Sequence, residues 1–513
     1  MKPIPVIDLF AGPGGLGEGF SSLENGRSFR IVVSAEMEAS AHKTLKLRAF
    51  FRLLKNSNSP EISHYYRFYN GLELLPFNKS SAEIWESAGA EAQQLTLGNE
   101  LDNQKLFEII KNNNICQSSP WVLVGGPPCQ AYSIVGRSRN KGKSNYKPED
   151  DNRHYLYKEY LKTIQRFKPA VFVMENVKGI LTSKVNGQSI FETILMDLVC
   201  PDKALGKKDS GTKYKIFSLC TSASFEHGQD LSGFNINEFV IKAEDYGVPQ
   251  ARHRVILLGV RNDINKTPEQ LKKRLKTSVS DVLEQLPKIR SRLSKERDSD
   301  VIWLEKIKVH TEELIQELKI SKTNEEILRN FEKLKEELVT SFSPGEERSG
   351  APTRKLKKTD LAEWFHDKNL KVTLNHESRG HMSSDLRRYL FASMFAKTYG
   401  KSPKGHRDFN LKSLRPDHGN WESGKFADRF RVQLFDKPAT TITSHISKDG
   451  HYFIHPDPIQ CRSLTVREAA RIQTFPDNYF FQGNRTQQFH QVGNAVPPML
   501  AEQIARTVLN LLR

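Results

Sequence analysis

Cys129 stands in the run Gly125-Gly126-Pro127-Pro128-Cys129-Gln130, directly after an apolar stretch at residues 121–124. Two glycines and two prolines fix a sharp, stiff turn. At the C-terminal edge of a strand, such a turn mounts the thiol where α/β active sites lie. A thiol with an ordinary pKa of about 8.5 must become a thiolate before it attacks. Glu175 opens Glu175-Asn176-Val177 at the end of a second apolar stretch, 171–174. A carboxyl group at a strand end, near a nucleophile, is a candidate acid or base. In Gln250-Ala251-Arg252-His253-Arg254, strand alternation puts Arg252 and Arg254 on one face, where two guanidiniums can hold a phosphate or orient a carboxylate. Nucleophilic catalysis assisted by proton transfer is the chemistry this set supports.

Two further segments suit a bound ligand. Asp8-Leu9-Phe10-Ala11-Gly12-Pro13-Gly14-Gly15 follows a strand-like start and leads into a helix. Glycines there let the backbone approach a ligand, and the helix presents its first amides. Pro13 departs from the G-x-G-x-x-G spacing of dinucleotide sites. Glu36 closes the apolar run 31–35, where a carboxylate can accept both ribose hydroxyls. With no nearby arginine for a 2′-phosphate, an adenosine-containing ligand is the better fit. In Gln491-Val492-Gly493-Asn494-Ala495-Val496-Pro497-Pro498, Pro497 suits the first turn of a last helix and Asn494 can offer its amide to a ligand.

These side chains need a frame that short strands alternating with helices provide: an α/β domain with a mainly parallel sheet. Residues 239–243 and 254–260 read as strands joined too closely for a crossover, so they pair antiparallel. The stretch between Glu36 and Trp121 is longer than one crossover needs, and an insertion is expected around 40–98. Residues 41–54 read as a basic helix, and residues 60–76 as aromatic-rich and less regular. Helical periodicity returns in 301–319 and 324–338. Thr465 and Glu468 have capping-box spacing.

The chain has 513 residues, with 77 Lys and Arg against 60 Asp and Glu, a net charge of +17. That surplus suggests a polyanionic partner. No apolar run approaches a membrane span, and the opening residues lack the apolar core of a secretory leader. The five cysteines form no CxxC pair, and their odd number argues for a reducing compartment. His376 and His381 lack partners at metal-ligand spacing, so no metal is expected.

In order and spacing, residues 8–15, 126–130, 175–177, 250–254, 467–476 and 491–498 resemble the cytosine-C5 DNA methyltransferase family. The resemblance implies a Rossmann-like, S-adenosylmethionine-dependent methyltransferase domain with a mixed, mostly parallel sheet, plus a smaller target-recognition domain. It implies a catalytic domain at 1–264, a target-recognition region at 265–460 that includes the helical segment 265–340, and a return to the catalytic domain at 461–513. S-adenosylmethionine is the implied cofactor, held by Phe10, Gly12, Gly14, Gly15, Glu36, Pro127 and Asn494. Family members carry an Asp, in a Gly-Asp-Ile-like turn, for the adenine amine. Here Gly98-Asn99-Glu100-Leu101-Asp102 stands in its place, so either Asn99, through its amide oxygen, or Asp102 takes that contact.

The resemblance also assigns the chemistry. Cys129 attacks cytosine C6, which makes C5 nucleophilic. Glu175, as an acid, stabilises charge at N3 and accepts from the N4 amine. Arg254 contacts the base and Arg252 helps orient the site. The target base must leave the duplex. Residues 131–151, with Ser133, Arg137, Arg139, Lys141, Lys143 and Lys147, suit closure on the flipped nucleotide. The basic, polar part at 354–460 is the candidate reader of DNA sequence, with His376, Arg379, His381, Arg387, Arg388, Arg429 and Arg431 as residues that face DNA. Residues 440–444 resemble a family segment near the recognition boundary. The expected partners are double-stranded DNA and a cognate restriction endonuclease acting on the same site. A monomer in the bacterial cytoplasm, with no membrane association, is expected. The alternative is a transfer-RNA cytosine-C5 methyltransferase of the same fold. A third reading is an inactive nucleic-acid-binding subunit.

Overall fold

The computed structural model describes residues 2–128, 156–185, 187–231, 234–321, 325–339, 342–351, 356, 359–416 and 429–513. Two compact units divide the chain. The first holds Met1–Ser63, Phe77–Lys276 and Ala495–Arg513, and the second His64–Pro76 and Thr277–Asn494.

The first unit is built on a sheet that has nine strands among the described residues: β1 (Ile4–Leu9), β2 (Phe29–Glu36), β3 (Ala92–Gln94), β4 (Val122–Gly125), β5 (Val171–Val177), β6 (Tyr214–Phe217), β7 (Ser224–Phe225), β8 (Val240–Lys242) and β9 (His253–Arg261). Their order is β3-β2-β1-β4-β5-β9-β6-β7, with β8 also on β9. β1 to β5 pair in parallel. β9 lies antiparallel to β5, β6 and β8, and β7 antiparallel to β6. Only β7 and β9 therefore run against the common direction, and the sheet is mixed but mostly parallel. The β8–β9 pairing is the one expected from the short link between them.

Alternation along the strands explains why both faces are covered. Ile7, Leu9, Leu123, Phe172 and Met174 belong to one apolar cluster. Val6, Val122, Val124, Val171 and Val173 belong to another. All are essentially inaccessible, and each such side chain contributes about 1.5–3 kcal/mol when fully buried. Against the sheet lie α1 (Gly15–Ser22), α2 (Ala39–Asn56), α3 (Ala82–Glu91), α4 (Glu100–Asn112) and α5 (Tyr157–Phe167). The C-terminal helix Pro498–Leu512 seats on α1. A Cβ at Gly19 would stand 2.4 Å from Ala501 Cβ, so only glycine permits that contact. No helix among the described residues is long and apolar enough to cross a membrane.

The expected insertion around 40–98 is largely regular structure. α2 and α3 carry the chain to β3, whose Ala92 pairs with Ser34 of β2, and His42 Nε2 lies 3.1 Å from Ala92 O. Only residues 64–76 join the second unit. They hold most of a helix, Ile62–Tyr69, where irregular structure was expected. Its Tyr69 ring packs edge-on against Phe480 at 5.6 Å, and Arg348 Nε donates to Tyr69 O at 3.1 Å.

In the second unit, the helices Asp300–Ser321, Glu325–Glu337 and Ser383–Tyr399 share a core with Trp303, Ile307, Phe331, Tyr389 and Phe391. The chain returns to the first unit at Ala495 and not at residue 461. The physical reason is a set of buried cations that bolts 461–494 to the second unit. Arg462 donates to Ile289 O and, through Nη1 and Nη2, to Glu468 at 2.7 and 2.6 Å. Arg467 donates to Leu374 O and Pro476 O. The capping box at Thr465 and Glu468 forms as the spacing predicts.

Candidate active site

β1 delivers the glycine turn and β2 delivers Glu36. The strands pair with Leu9 opposite Ala35, and Ala11 N–H donates to Ala35 O at 3.1 Å. Phe10, Gly12 and Gly14 take left-handed backbone angles, with φ of 56°, 57° and 95°. Gly12 N–H donates to Glu36 Oε2 and Glu38 N–H to Oε1, both at 2.8 Å. Burial raises the Glu36 carboxyl above its ordinary pKa, against the pull of the Glu38 and Gly12 amides. An ionised carboxylate has about four acceptor positions, so the two amides fix its orientation and still leave room for two hydroxyl donors. A Cβ at Gly12 would meet nothing within 4 Å, so the turn borders open space. This arrangement fits an adenosine-bearing ligand. Gly15 is required for a different reason: its Cβ would stand 2.1 Å from Val496 O.

Asn99 does not offer the acceptor expected of it. It caps α4, and its Oδ1 accepts from Leu101 N–H and Asp102 N–H at 3.0 and 3.2 Å. Asp102 accepts from Thr96 N–H through Oδ2 at 2.8 Å. Asn494 is the exposed last residue of the helix Arg485–Asn494 in the second unit.

Glu175, Arg252 and Arg254 gather where β4 and β5 end and β9 begins. Glu175 and Arg254 come from neighbouring strands, with Ile256 opposite Glu175 and Arg254 opposite Val177. Arg254 Nε lies 2.9 Å from Glu175 Oε1, and both side chains are nearly covered. Burial lowers the Arg254 pKa, and the Glu175 charge and hydrogen bond oppose that shift. Arg252 is fully buried just ahead of β9, and its pKa falls through burial and then the charge of Arg254, opposed by Glu175. A Cβ at Gly126 would stand 3.1 Å from Glu175 Oε2. The carboxylate thus abuts the turn in which Pro127 is buried. The Tyr160 hydroxyl, 2.9 Å from Val173 O and 3.2 Å from Leu123 O, straps β4 to β5 beneath it. Cys129, Gln130 and the basic run through Lys147 lie outside the described residues.

One buried acid was not singled out from the sequence. Asp8 is inaccessible at the last position but one of the apolar strand β1, and burial pushes its carboxyl up to about 8, against the Gly17 amide. A charged residue within Ile4-Pro5-Val6-Ile7-Asp8-Leu9 was the available signal.

Several residues expected to face DNA lie instead in the core of the second unit. His376 is inaccessible, with Nδ1 3.0 Å from Thr465 Oγ1 and Nε2 2.8 Å from Pro287 O. His381 is buried against Ser463 and Tyr389. Arg388 donates to Leu414 O and Asp385. Arg387 pairs with Glu313. Arg379, Arg429 and Arg431 are half-buried. Residues 440–444 are tied to the helix Arg485–Asn494, because a Cβ at Gly493 would stand 2.3 Å from Ser444 N. Among the described residues, no group of three or more His, Cys, Asp or Glu is placed to hold a metal ion.

Fold and site together give an α/β domain with a glycine turn beside a buried, amide-held carboxylate and a covered Glu–Arg pair at the strand ends. The sequence matches the profile of C-5 cytosine-specific DNA methylases at residues 81–199 and 229–510. It is 33% identical over 522 residues to the type II methyltransferase M.Bpa9945I of Bacillus paralicheniformis, covering 99% of both chains. It is 25% identical to the type II methyltransferase M.AgeI of Thalassovita gelatinovora, covering 98% of both chains. An E. coli prophage-encoded protein described as a DNA modification methyltransferase shares the fold, with a TM-score of 0.52, 19% identity and 99% coverage of both chains. The chain belongs to the C-5 cytosine-specific DNA methylase family and is a DNA (cytosine-5) methyltransferase.

Proposed function

We propose that the protein methylates C5 of a cytosine within one short duplex sequence, with Cys129 as nucleophile and S-adenosylmethionine as methyl donor. The observation that carries this reading is the contact of Glu175 with Gly126, three residues ahead of Cys129 in a turn stiffened by two prolines. Cytosine C5 is a weak nucleophile. A bond from the Cys129 sulfur to C6 gives C5 enamine character. Glu175, entering as the acid, donates to N3 as charge develops there and accepts from the N4 amine, which favours cytosine over uracil. Arg254 holds Glu175 in place and, with Arg252, keeps the pocket cationic around the polarised base. S-adenosylmethionine supplies an electrophilic methyl group when bound. Phe10, Gly12, Gly14 and Glu36 would hold it, with Asp102 toward the adenine amine. Loss of the C5 proton then expels the Cys129 thiolate. The reacting atoms are out of reach inside a duplex, so the base is flipped out at a cost of a few kcal/mol.

Reading of the DNA sequence falls to the second unit, 277–494. Protection of host DNA from a nuclease of the same specificity, in a bacterial cytoplasm, completes the reading, which is supported by the likeness to type II methyltransferases. The test is methyl transfer from labelled S-adenosylmethionine to duplex DNA and to transfer RNA, side by side. Label in the duplex alone supports the proposal; label in transfer RNA alone overturns the choice of substrate.

A further inference from the structure

In the second unit, a short parallel pairing of Arg292 and Leu293 with Gly380 and His381 brings two guanidiniums, those of Arg292 and Arg485, to the Glu377 carboxylate. Arg292 Nε and Arg485 Nη1 each lie 3.7 Å from Glu377 Oε1. That distance allows attraction but no hydrogen bond. Arg379 adjoins them. Its guanidinium stacks over Phe489 at 5.0 Å and Nη2 donates to Ile446 O at 2.7 Å. Burial and the neighbouring charge of Arg485 lower its pKa to about 10.

Donors outnumber acceptors in this cluster. Arg292 Nε, Arg379 Nε and the Ser378 hydroxyl have no hydrogen-bond partner. Of the other nearby acids, Asp298 Oδ1 accepts from Arg290 at 2.7 Å and its Oδ2 lies 3.9 Å from Arg292 Nη1, Asp449 faces Arg379 and accepts from His451 N–H at 2.9 Å, and Glu347 pairs with Arg348 at 2.9 Å. Arg292 and Arg485 keep 37% and 38% of their side-chain surface exposed. Arg485 also borders a polar cavity of about 140 Å³ with Glu377, Asn484 and Gln488. A cationic cluster held rigid by stacking and backbone bonds, with unused donors and one loosely held carboxylate, is built for a better-fitting anion.

We propose that Arg292, Arg379 and Arg485 clamp one backbone phosphate of the DNA, which takes the place of Glu377 between Arg292 and Arg485. The inference rests on the DNA-methyltransferase reading. A phosphate contact fixes register and carries no base information, so the clamp governs affinity and leaves the choice of sequence to other residues.

The test is equilibrium binding of the full-length, cofactor-saturated protein to mixed-sequence duplexes over a range of salt. Arg379→Gln and Arg485→Gln should each weaken binding to every sequence alike and lower the slope of log K against log salt by about one. Arg485→Lys keeps the charge and should keep the slope. Glu377→Gln removes the competing carboxylate and should tighten binding several-fold. Lys319→Gln, at a lysine paired with Glu332 at 3.0 Å, should leave the slope unchanged. A wild-type protein that binds DNA while both arginine variants keep its slope would overturn the clamp. So would weakening confined to one sequence, or weaker binding by Glu377→Gln. Binding of inorganic phosphate alone, lost in Arg485→Gln while the DNA slope stays fixed, would assign the cluster to a free anion and overturn the DNA contact. Absence of duplex binding by the wild type would instead sink the reading on which the clamp rests.

Discussion

Glu175 and Arg254 meet across the antiparallel seam of β5 and β9, with Oε1 2.9 Å from Nε, and Oε2 faces Gly126 in the turn before Cys129. The seam matters because it is where the sheet reverses direction, so side chains from two strands reach the same edge. Glu175→Gln keeps the shape and removes the acid. Its kcat should fall by roughly 10²–10⁴, with cofactor affinity unchanged. Arg254→Gln leaves Glu175 without its partner and should lower kcat by about 10²–10³. Single-turnover methyl transfer checks both, and a loss below tenfold in Glu175→Gln would remove the acid role.

Glu36 is held by two backbone amides, Gly12 N–H and Glu38 N–H. Glu36→Gln removes the charge proposed to receive the ribose hydroxyls and turns one acceptor into a donor. Hydrogen bonds to a charged group contribute about 1.5–3 kcal/mol, so S-adenosylmethionine affinity measured by calorimetry should fall about 10- to 100-fold. An unchanged Kd would place the ribose elsewhere.

Gly12 and Gly15 should respond differently to alanine. At Gly15 the new methyl meets Val496 O at 2.1 Å, and overpacking of this kind costs about 1–3 kcal/mol. At Gly12 there is space, but a φ of 57° costs a residue with a Cβ roughly 1–2 kcal/mol, and the methyl points into the space offered to the ligand. Gly15→Ala should therefore lower Tm the more, and Gly12→Ala should lower cofactor affinity the more. Melting curves with and without cofactor separate the two.

Two buried histidines should make the second unit lose stability in acid. Burial lowers His376 to about 4, with Glu468 opposing and Arg462 adding to the shift. Burial and then Arg462 lower His455 to about 4, with Glu468 opposing. His376 donates through Nε2–H to Pro287 O and accepts from the Thr465 hydroxyl, which itself accepts Glu468 N–H. That chain requires the neutral ring. Below pH 6.5 the unfolded imidazoles take up protons while the folded ones stay neutral down to about 4. The unfolded state then binds more protons, so stability falls as pH drops from 6.5 to about 4, by up to about 1.4 kcal/mol per pH unit for each ring. Denaturant titrations at pH 8, 6 and 5 should show this loss, and His376→Gln should flatten it. An identical pH dependence in the variant would contradict the assignment.

Much of the first unit was legible because its signals are local. Short apolar runs became β1, β2, β4 and β5, and in the second unit Thr465 with Glu468 announced a helix start. What escaped depends on partners distant in sequence. The Ile62–Tyr69 helix reads as irregular until Phe480 supplies the surface that its aromatics cover. His376, His381 and Arg388 read as surface residues until their partners, Pro287, Ser463 and Leu414, come into place. The boundary at Ala495 follows from buried arginines, a residue type that composition assigns to the surface. Asn99 is the exception, because an asparagine before Glu100-Leu101-Asp102 carried its own capping signal.

The central claim is covalent methylation of cytosine in duplex DNA by way of Cys129. Its most direct test is base-resolution mapping of 5-methylcytosine in mixed-sequence duplex DNA after incubation with S-adenosylmethionine, for the wild type and Cys129→Ser. Modification should fall at the same cytosine of one short sequence and be absent in the variant. Equal modification by Cys129→Ser, or a wild type that binds cofactor and leaves every duplex cytosine unmodified, would contradict it.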